Sequence, residues 1–119
     1  MTDDVPVHHA INYLEFAVAD MEAAKEFYAG AFGWKFNDYG PTYAGIRKAD
    51  GEAGGLRLAP DTASVPPLVI LYSTDLESSM KSVQDAGGTI TKAPFSFPGG
   101  RRFHFKDPSG KELAVRSAS

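Results

Sequence analysis

Two halves of the chain follow one residue pattern at a fixed offset, and this internal repeat constrains the fold more than any single element does. The matched pairs, which stand 55 positions apart, are Asp20 and Asp75, Glu22 and Glu77, Ala31 and Ala86, and Gly33 and Gly88. Each half therefore has an aspartate N-cap, an acid in the first helical turn and a glycine that ends the helix. A repeat of about half the chain indicates two copies of one supersecondary unit.

Each half predicts the element order β-α-β-β-β. In the first half, a strand at Ile11 to Val18 precedes a helix over "MEAAKEFYAGAFG"; the strands "WKFNDYG", "TYAGIRKA" and, after a turn at "DGEAGG", "LRLA" follow. In the second half, the strand "PLVILYSTD" and the helix "LESSMKSVQDAGG" precede the strands "TITKAPFSF", "RRFHFKD" and "ELAVRS". The segment "PDTASVPP" is typical of a linker, and "FSFPGGRR" of a flexible loop before the last hairpin.

The repeat predicts an α+β fold in one domain over residues 5–118, made of two tandem β-α-β-β-β modules at about 10–59 and 66–117. One helix covers only one face of a four-stranded sheet. We therefore expect the two sheets to join edge to edge into a curved open sheet, a cup with the helices outside. An open sheet face of this kind favours a homodimer with two-fold symmetry.

Alternation in "INYLEFAVAD" separates two faces of the first strand. We expect Leu14, Phe16 and Val18 to pack beneath the first helix, whereas Tyr13 and Glu15 face the pocket of the cup. The side chains of the helix region that we expect to face the core are Ala24, Phe27, Tyr28, Ala31, Phe32 and, beyond the helix end, Trp34.

Composition excludes several classes of protein. The chain has no cysteine, so a disulfide framework, a thiolate metal site and a catalytic cysteine are ruled out. A net charge of -3 argues against nucleic-acid binding, and no GxGxxG or GxxxxGK[ST] motif supports a nucleotide cofactor. No apolar run approaches the ~18–20 residues of a transmembrane helix. The start "MTDDVPVHHA" is acidic where a signal peptide is basic, so we expect a cytoplasmic protein that binds neither membrane nor nucleic acid.

The doubled unit, the stretch "VADMEAAKEFYAGAFGWKF" and the closing "FHFKDPSGKEL" together resemble the vicinal oxygen chelate superfamily. This is the group of glyoxalases, bleomycin-resistance proteins and extradiol dioxygenases. The resemblance spans about residues 7–117 and implies the paired-module cup, commonly assembled as a dimer with modules swapped or apposed across subunits.

Metal enzymes of this superfamily hold a divalent ion with His and Glu side chains at four equivalent strand positions. In this chain the resemblance puts Tyr13, Leu68, Ala114 and a residue near Arg57 at those positions. None of them is the ligand that the family uses there. We therefore expect no cofactor, with a divalent metal as an alternative that these positions do not support.

His104 is a candidate catalytic base. Alternation in "RRFHFKD" sends Phe103 and Phe105 toward the helix and leaves Arg102 and His104 on the cup face. A neutral imidazole near pH 7 can accept a proton or hold a polar ligand. The alternative is a partly exposed strand histidine without a chemical task.

Glu15 is the second candidate base, with Arg57 as an anchor for a substrate carboxylate. Alternatively, the two side chains only neutralise each other across the sheet. The remaining predicted ligand contacts on the cup face are Tyr13, Leu68, Ile70, Tyr72 and Arg102. We expect the pair His8-His9 to be solvated residues near the terminus, because neighbours in a strand point to opposite faces and cannot easily share one ion.

The sequence predicts a small-molecule binding protein of the glyoxalase/bleomycin-resistance type, metal-free, with an organic ligand in the sheet concavity of a homodimer. An alternative is a divergent metal-dependent lyase, isomerase or dioxygenase of the same superfamily, with Glu15 or His104 as the base. A third hypothesis is a regulatory or assembly module without a ligand. Fold alone does not separate these functions.

Overall fold

A computed structural model describes residues 6–62 and 65–119, and it confirms the predicted α+β fold class. Two α-helices and eight strands lie in these residues. The chain divides into two compact units, which we call the first unit (Tyr13–Pro67) and the second unit (Pro6–Asn12 with Leu68–Ser119).

The first unit has the predicted order β-α-β-β-β. Its elements are β1 (Ile11–Val18, whose first two residues group with the second unit), α1 (Met21–Phe32), β2 (Phe36–Asp38), β3 (Tyr43–Lys48), β4 (Gly51–Leu58) and a 3-10 turn (Pro60–Thr62). The strands lie in the order β2-β3-β4-β1, with β1 parallel to β4 and the other pairs antiparallel.

The N-cap and the C-terminal glycine of α1 are both confirmed. The Asp20 carboxylate accepts a hydrogen bond from the backbone N–H of Ala23 at 3.0 Å. Gly33 takes the left-handed conformation that ends the helix, with φ 74°. The core beneath α1 is built from the buried side chains Met21, Ala44, Ile46 and Leu56, with Phe16, Val18, Ala24, Tyr28 and Trp34 packed around them.

Four side chains predicted to face this core do not, and one of them is the exposed Ala31. Leu14 is 38% exposed, Phe27 59% and Phe32 64%. One helix can present only a limited arc to one sheet, and Met21, Ala24 and Tyr28 fill that arc. The apolar positions of α1 therefore extend round the helix to a face that this unit leaves uncovered.

Strand β4 begins earlier than predicted, because the expected turn at residues 51–55 is strand. A Cβ on Gly54 would collide with the backbone oxygen of Leu14 on β1. A Cβ on Gly55 would collide with the Tyr43 hydroxyl on β3. These glycines mark close approach of neighbouring groups rather than a chain reversal.

The second unit repeats the pattern. Its elements are β5 (Leu68–Tyr72), α2 (Leu76–Asp85), β6 (Thr89–Phe97), β7 (Gly100–Lys106) and β8 (Glu112–Ser117). The strands lie in the order β5-β8-β7-β6, with β5 parallel to β8. Asp75 caps α2 through the Ser78 backbone N–H at 3.2 Å. The core beneath α2 is formed by Leu76, Phe103, Phe105 and Val115, with Leu71, Met80 and Val83 against them.

The flexible loop predicted over "FSFPGGRR" is not present, whereas the strands predicted on either side of it, "TITKAPFSF" and "RRFHFKD", are. The first three residues of "FSFPGGRR" belong to β6, and Phe97 pairs with Gly100 on β7 across a tight turn. The proline and glycine therefore mark a hairpin turn within the sheet. In the part of the chain that the structure describes, neither helix has the length and apolarity needed to cross a membrane.

Candidate functional site

Four polar side chains meet on the face of the first unit that α1 does not cover. Phe16 and Leu56 point toward α1, so alternation turns Glu15 and its neighbours to the opposite face. We call this set the Glu15 cluster; its members are Tyr13 and Glu15 on β1, Tyr43 on β3 and Arg57 on β4. The predicted meeting of Tyr13, Glu15 and Arg57 is present in the structure.

The Glu15 carboxylate receives donors from two strands. The Tyr43 hydroxyl donates to Glu15 Oε2 at 3.2 Å, and Arg57 Nε lies 3.5 Å from Glu15 Oε1. Since the Tyr43 proton points at the carboxylate, the Tyr13 hydroxyl, 2.8 Å away, donates to the Tyr43 oxygen. Glu15 is only 8% exposed, whereas the Arg57 side chain is 48% exposed. The cluster thus combines a buried anion with a cation that solvent reaches.

Both tyrosines of the cluster are neutral phenols near pH 7. Burial raises the pKa of Tyr13 to about 12, and the charge of Glu52 adds to the effect. Burial also raises the pKa of Tyr43, and the Tyr13 hydrogen bond and the Glu15 charge raise it further. Both residues therefore act as hydroxyl donors and acceptors, not as phenolates.

Sequence reasoning missed Tyr43. Its hydroxyl reaches Glu15 only because Gly55, which pairs with Glu15 on the neighbouring strand, has no side chain to block the way. A glycine inside a strand signals close approach of another group. The glycine pair at the end of "DGEAGG" gives this signal, although the sequence pattern predicts a turn there.

A second polar set lies in the second unit, on the face opposite α2. Phe103 and Phe105 pack in the α2 core, and His104 between them points the other way. His104 Nδ1 lies 3.1 Å from Glu112 Oε2, and the imidazole is 6% exposed. We call His104, Glu112, Arg102 and the neighbouring ring of Phe95 the His104 cluster.

The His104 imidazole is a buried neutral base. Burial lowers its pKa below 6.5; the nearby charge of Arg102 also lowers it, and the Glu112 hydrogen bond opposes both. Because a carboxylate can only accept, the ring proton sits on Nδ1 and Nε2 carries the lone pair. Nε2 is buried and has no hydrogen-bond partner among the described residues. Such an acceptor is costly to leave unpaired.

The charged neighbours of His104 pack on aromatic rings. The Arg102 guanidinium lies 5.5 Å from the Phe95 ring centre and 5.6 Å from that of Phe97. Lys92 also lies 5.6 Å from the Phe95 ring centre. These cations make the surroundings of His104 electropositive. Sequence reasoning missed Glu112, which lies on β8 and pairs with Lys106 of β7.

The predicted ligand contacts on β5 are already covered. Ile70 is 2% exposed, and the Arg116 guanidinium lies 4.9 Å from the Tyr72 ring centre. Leu68 is half-buried at the start of the strand. Their predicted role as ligand walls stays a prediction.

The histidines near the N-terminus are exposed, as predicted, but they are not merely solvated. His8 Nδ1 accepts from the Thr74 backbone N–H at 3.0 Å, and His9 Nε2 lies 2.8 Å from Ser79 Oγ. The two rings stack with centres 3.7 Å apart. This segment is therefore held against the N-terminal end of α2 within the second unit.

The four family metal positions do not fit a metal ion. Strand register corrects one of them: Glu15 pairs with Gly55 and Ile70 pairs with Ala114, so the equivalent of Ala114 is Gly55 rather than a residue near Arg57. Glycine, alanine and leucine side chains offer no donor atom, and Tyr13 is a protonated phenol. No group of three or more His, Asp or Glu side chains within residues 6–62 and 65–119 is placed to hold a metal.

Comparison with known families identifies the chain. The profile of the Glyoxalase/Bleomycin resistance protein/Dioxygenase superfamily matches residues 10–115. The chain therefore belongs to this superfamily. A comparison with curated proteins found no significant match.

Solved structures share the fold at low sequence identity. A Streptomyces coelicolor methylmalonyl-CoA epimerase variant in complex with 2-nitronate-propionyl-CoA has a TM-score of 0.72 and 16% identity, covering 95% of this chain and 99% of that one. An NAD-dependent benzaldehyde dehydrogenase from Legionella pneumophila has a TM-score of 0.70 and 17% identity, covering 90% and 98%. The Mn(II)-bound glyoxalase from Novosphingobium aromaticivorans has a TM-score of 0.69 and 23% identity; 96% of this chain matches 40% of that one. These proteins are named for different activities, so the likeness shows the fold alone.

Proposed function

We propose that this protein binds a small organic acid at the Glu15 cluster and does so without a resident metal ion. One observation carries the proposal: Glu15 is 8% exposed although it lies on the sheet face that α1 leaves uncovered. Burying a carboxylate costs free energy unless donors surround it. A face built in this way is a polar recognition surface rather than an extension of the core.

The cluster recognises an acid through Arg57. A guanidinium carries five donors in a planar fork, and the Arg57–Glu15 contact uses the Nε side of that fork. The remaining face of the half-exposed guanidinium can pair with a ligand carboxylate in bidentate geometry. The neutral Tyr13 hydroxyl supplies a further hydrogen-bonding position for a hydroxyl or oxo group of the same ligand.

The donor chemistry of the site supports the metal-free part of the proposal. The family positions hold a phenol, two hydrocarbon side chains and a glycine, so none of them offers the carboxylate or imidazole donor that the family's metal enzymes use there. We further propose that the protein works in the cytoplasm as a homodimer.

Two-dimensional ¹H–¹⁵N NMR with a panel of 2-hydroxy and 2-oxo carboxylic acids tests ligand binding. Saturable shifts are expected at the backbone amides of Glu15, Tyr43 and Arg57. Arg57→Gln should raise Kd at least tenfold, and Lys111→Gln, an exposed charge-removing control, should leave it unchanged. Saturable shifts confined to other residues, or an unaltered Kd in Arg57→Gln, would overturn the proposal.

Metal content measured by mass spectrometry on protein purified without a histidine tag tests the second part, followed by titration with Ni, Zn, Mn and Fe. The expected result is no stoichiometric metal. Stoichiometric metal that is lost in Glu15→Gln or His104→Ala would contradict it and place a chelate-dependent activity first.

A second candidate function is an isomerase or lyase that moves a proton. The buried lone pair of His104 Nε2, with its tautomer set by Glu112, favours it because a base of this kind can accept a proton near pH 7. Turnover of a bound acid, followed by exchange of its α-proton for deuterium in D₂O, tests it. Exchange that is lost in His104→Gln supports catalysis, and saturable binding without exchange supports the binding protein.

A further inference from the structure

The outer face of α1 is apolar where the matching face of α2 is polar. Phe27, which lies on this face, is 59% exposed. At the repeat offset of 55, Phe27 corresponds to Ser82 and Gly30 to Asp85. Since α2 shows that this module folds with a polar outer helix face, the apolar face of α1 is not a requirement of the fold.

The apolar residues of α1 form one continuous stripe. Their helical spacing of i, i+4, i+7 and i+8 places Ala23, Phe27, Gly30 and Ala31 side by side. All four are exposed, and a Cβ at Gly30 would meet nothing within 4 Å. A neighbouring helix can approach such a stripe closely.

Opposite charges lie at the two ends of this helix, on one flank. Glu22, Glu26 and Gly33 share that flank because they are separated by four and seven residues. Gly33 borders an open depression of about 270 Å³ lined also by Trp34, Lys35, Arg47 and Lys48. The N-terminal end of the flank carries Glu26 and Glu22, and Lys25 Nζ lies 3.4 Å from the Glu22 carboxylate and 2.7 Å from that of Asp38, so acids outnumber the one cation there. The C-terminal end is basic, although the chain as a whole has a net charge of -3.

We propose that a second copy of this chain docks on the outer face of α1, with the two α1 helices antiparallel about a two-fold axis. A two-fold axis perpendicular to the helices reverses their direction and keeps each flank on the same side. It therefore places Glu22 and Glu26 of each copy against the basic depression of the other copy. The stripe meets itself across the axis, as a self-complementary interface requires.

Charge complementarity identifies the occupant as a second copy. A partner of uniform charge would meet repulsion at one end of α1, whereas an inverted copy is matched at both ends. The 12-residue helix is about 18 Å long, so the acidic and basic ends lie within one contact surface. This inference rests on the homodimer part of the proposed function and is independent of ligand binding.

Sedimentation equilibrium over a wide protein concentration range tests the interface. The wild-type chain is expected to dimerise, and Phe27→Ser, which installs the residue found in α2, should raise the dimer Kd at least tenfold. Val65→Ser removes an exposed apolar side chain outside the stripe and serves as the matched control. Fluorescence of Trp34, the single tryptophan, should change as the dimer forms.

A charge swap keeps the test independent of folding defects in Phe27→Ser. Glu26→Lys and Lys35→Glu should each weaken the dimer, and the double variant should restore it. A monomer at every concentration, or a dimer unaffected by Phe27→Ser and by both charge reversals, would overturn the proposal. NMR titration of Phe27→Ser with the carboxylic acids then shows whether the Glu15 cluster still binds, which separates failure of this interface from failure of ligand binding.

Discussion

Glu15 and Ile70 occupy equivalent positions in the two halves of the repeat, yet one is a hydrogen-bonded carboxylate and the other an apolar side chain. Both are nearly inaccessible, at 8% and 2% exposure. Opposite Glu15 stands Gly55, which leaves room for the Tyr43 hydroxyl; opposite Ile70 stands Ala114, which is itself fully buried. The side chain at this position and the size of the residue paired with it therefore decide together whether the position joins a polar cluster. The repeat sets the backbone, and single side chains set the chemistry.

The largest expected effect comes from replacing Ile70 by Glu, the residue at the equivalent position of the first half. Ile70→Glu should lower the free energy of unfolding by about 3–5 kcal/mol, because it places a carboxylate at a site where the apolar side chain is 2% exposed and the paired Ala114 is fully buried. Urea unfolding followed by far-UV circular dichroism measures it. Ile70→Val, expected to cost only about 0.5–1.5 kcal/mol, is the size control. Equal losses in the two variants would show that the site solvates a carboxylate.

Filling the space opposite Glu15 should break the polar cluster of the first half. Gly55→Ala should cost about 1–3 kcal/mol because the new Cβ overlaps the Tyr43 ring. Tyr43→Leu removes the overlapping atoms, so the double variant should lose less than the sum of the two single variants. Strict additivity in this double-mutant cycle would contradict the packing described for Tyr43.

Acid should act on the two halves differently because only the second contains a buried histidine. The pKa of His104 in the folded chain lies below 6.5, so the unfolded chain binds this proton more readily. The free energy of unfolding should therefore fall as pH drops from 6.5 through the lowered pKa, by at most about 1.4 kcal/mol per pH unit. Hydrogen exchange of the β7 amides across this window measures the loss. His104→Gln should remove this part of the pH dependence, and an unchanged slope would assign it to other groups.

The smallest expected effect concerns the helix N-caps, where the two halves are alike. Asp20→Ala and Asp75→Ala each remove one N-cap hydrogen bond, and each should cost about 1 kcal/mol. Asn at either position should be close to neutral because it caps equally well. Thermal unfolding monitored by circular dichroism compares the four variants. A loss at only one aspartate would show that the repeat is not equivalent at its caps.

Local signals predicted most of the elements. Asp20, Gly33 and Asp75 marked helix ends correctly, because caps depend on hydrogen bonds within one turn. The strands β1, β6 and β8 were predicted at their observed bounds. The wrong predictions concern segments whose structure depends on pairing with another strand. The glycines of β4 lie in a strand where a turn is predicted, and a tight turn replaces the flexible loop predicted over "FSFPGGRR".

The site was predicted in part. Alternation along β1 placed Tyr13 and Glu15 together, and the partnership of Glu15 with Arg57 was foreseen. Tyr43 and Glu112 were not, because their contacts depend on which residues stand beside each other on neighbouring strands. Phe27 was assigned to the core on periodicity, although periodicity does not state how wide an arc of a helix the sheet covers.

The sequence by itself determined the doubled β-α-β-β-β order, the helix N-caps and the superfamily, since these depend on residue spacing along the chain; the glycine stop predicted at Gly88 is wrong, because α2 ends at Asp85. Only the tertiary structure decided that Gly55 admits the Tyr43 hydroxyl, that His104 Nε2 is buried without a hydrogen-bond partner among the described residues, and that the outer face of α1 is apolar and exposed. The physical reason is that register and burial are properties of residue pairs far apart in sequence. A single strand or helix contains only one residue of each such pair.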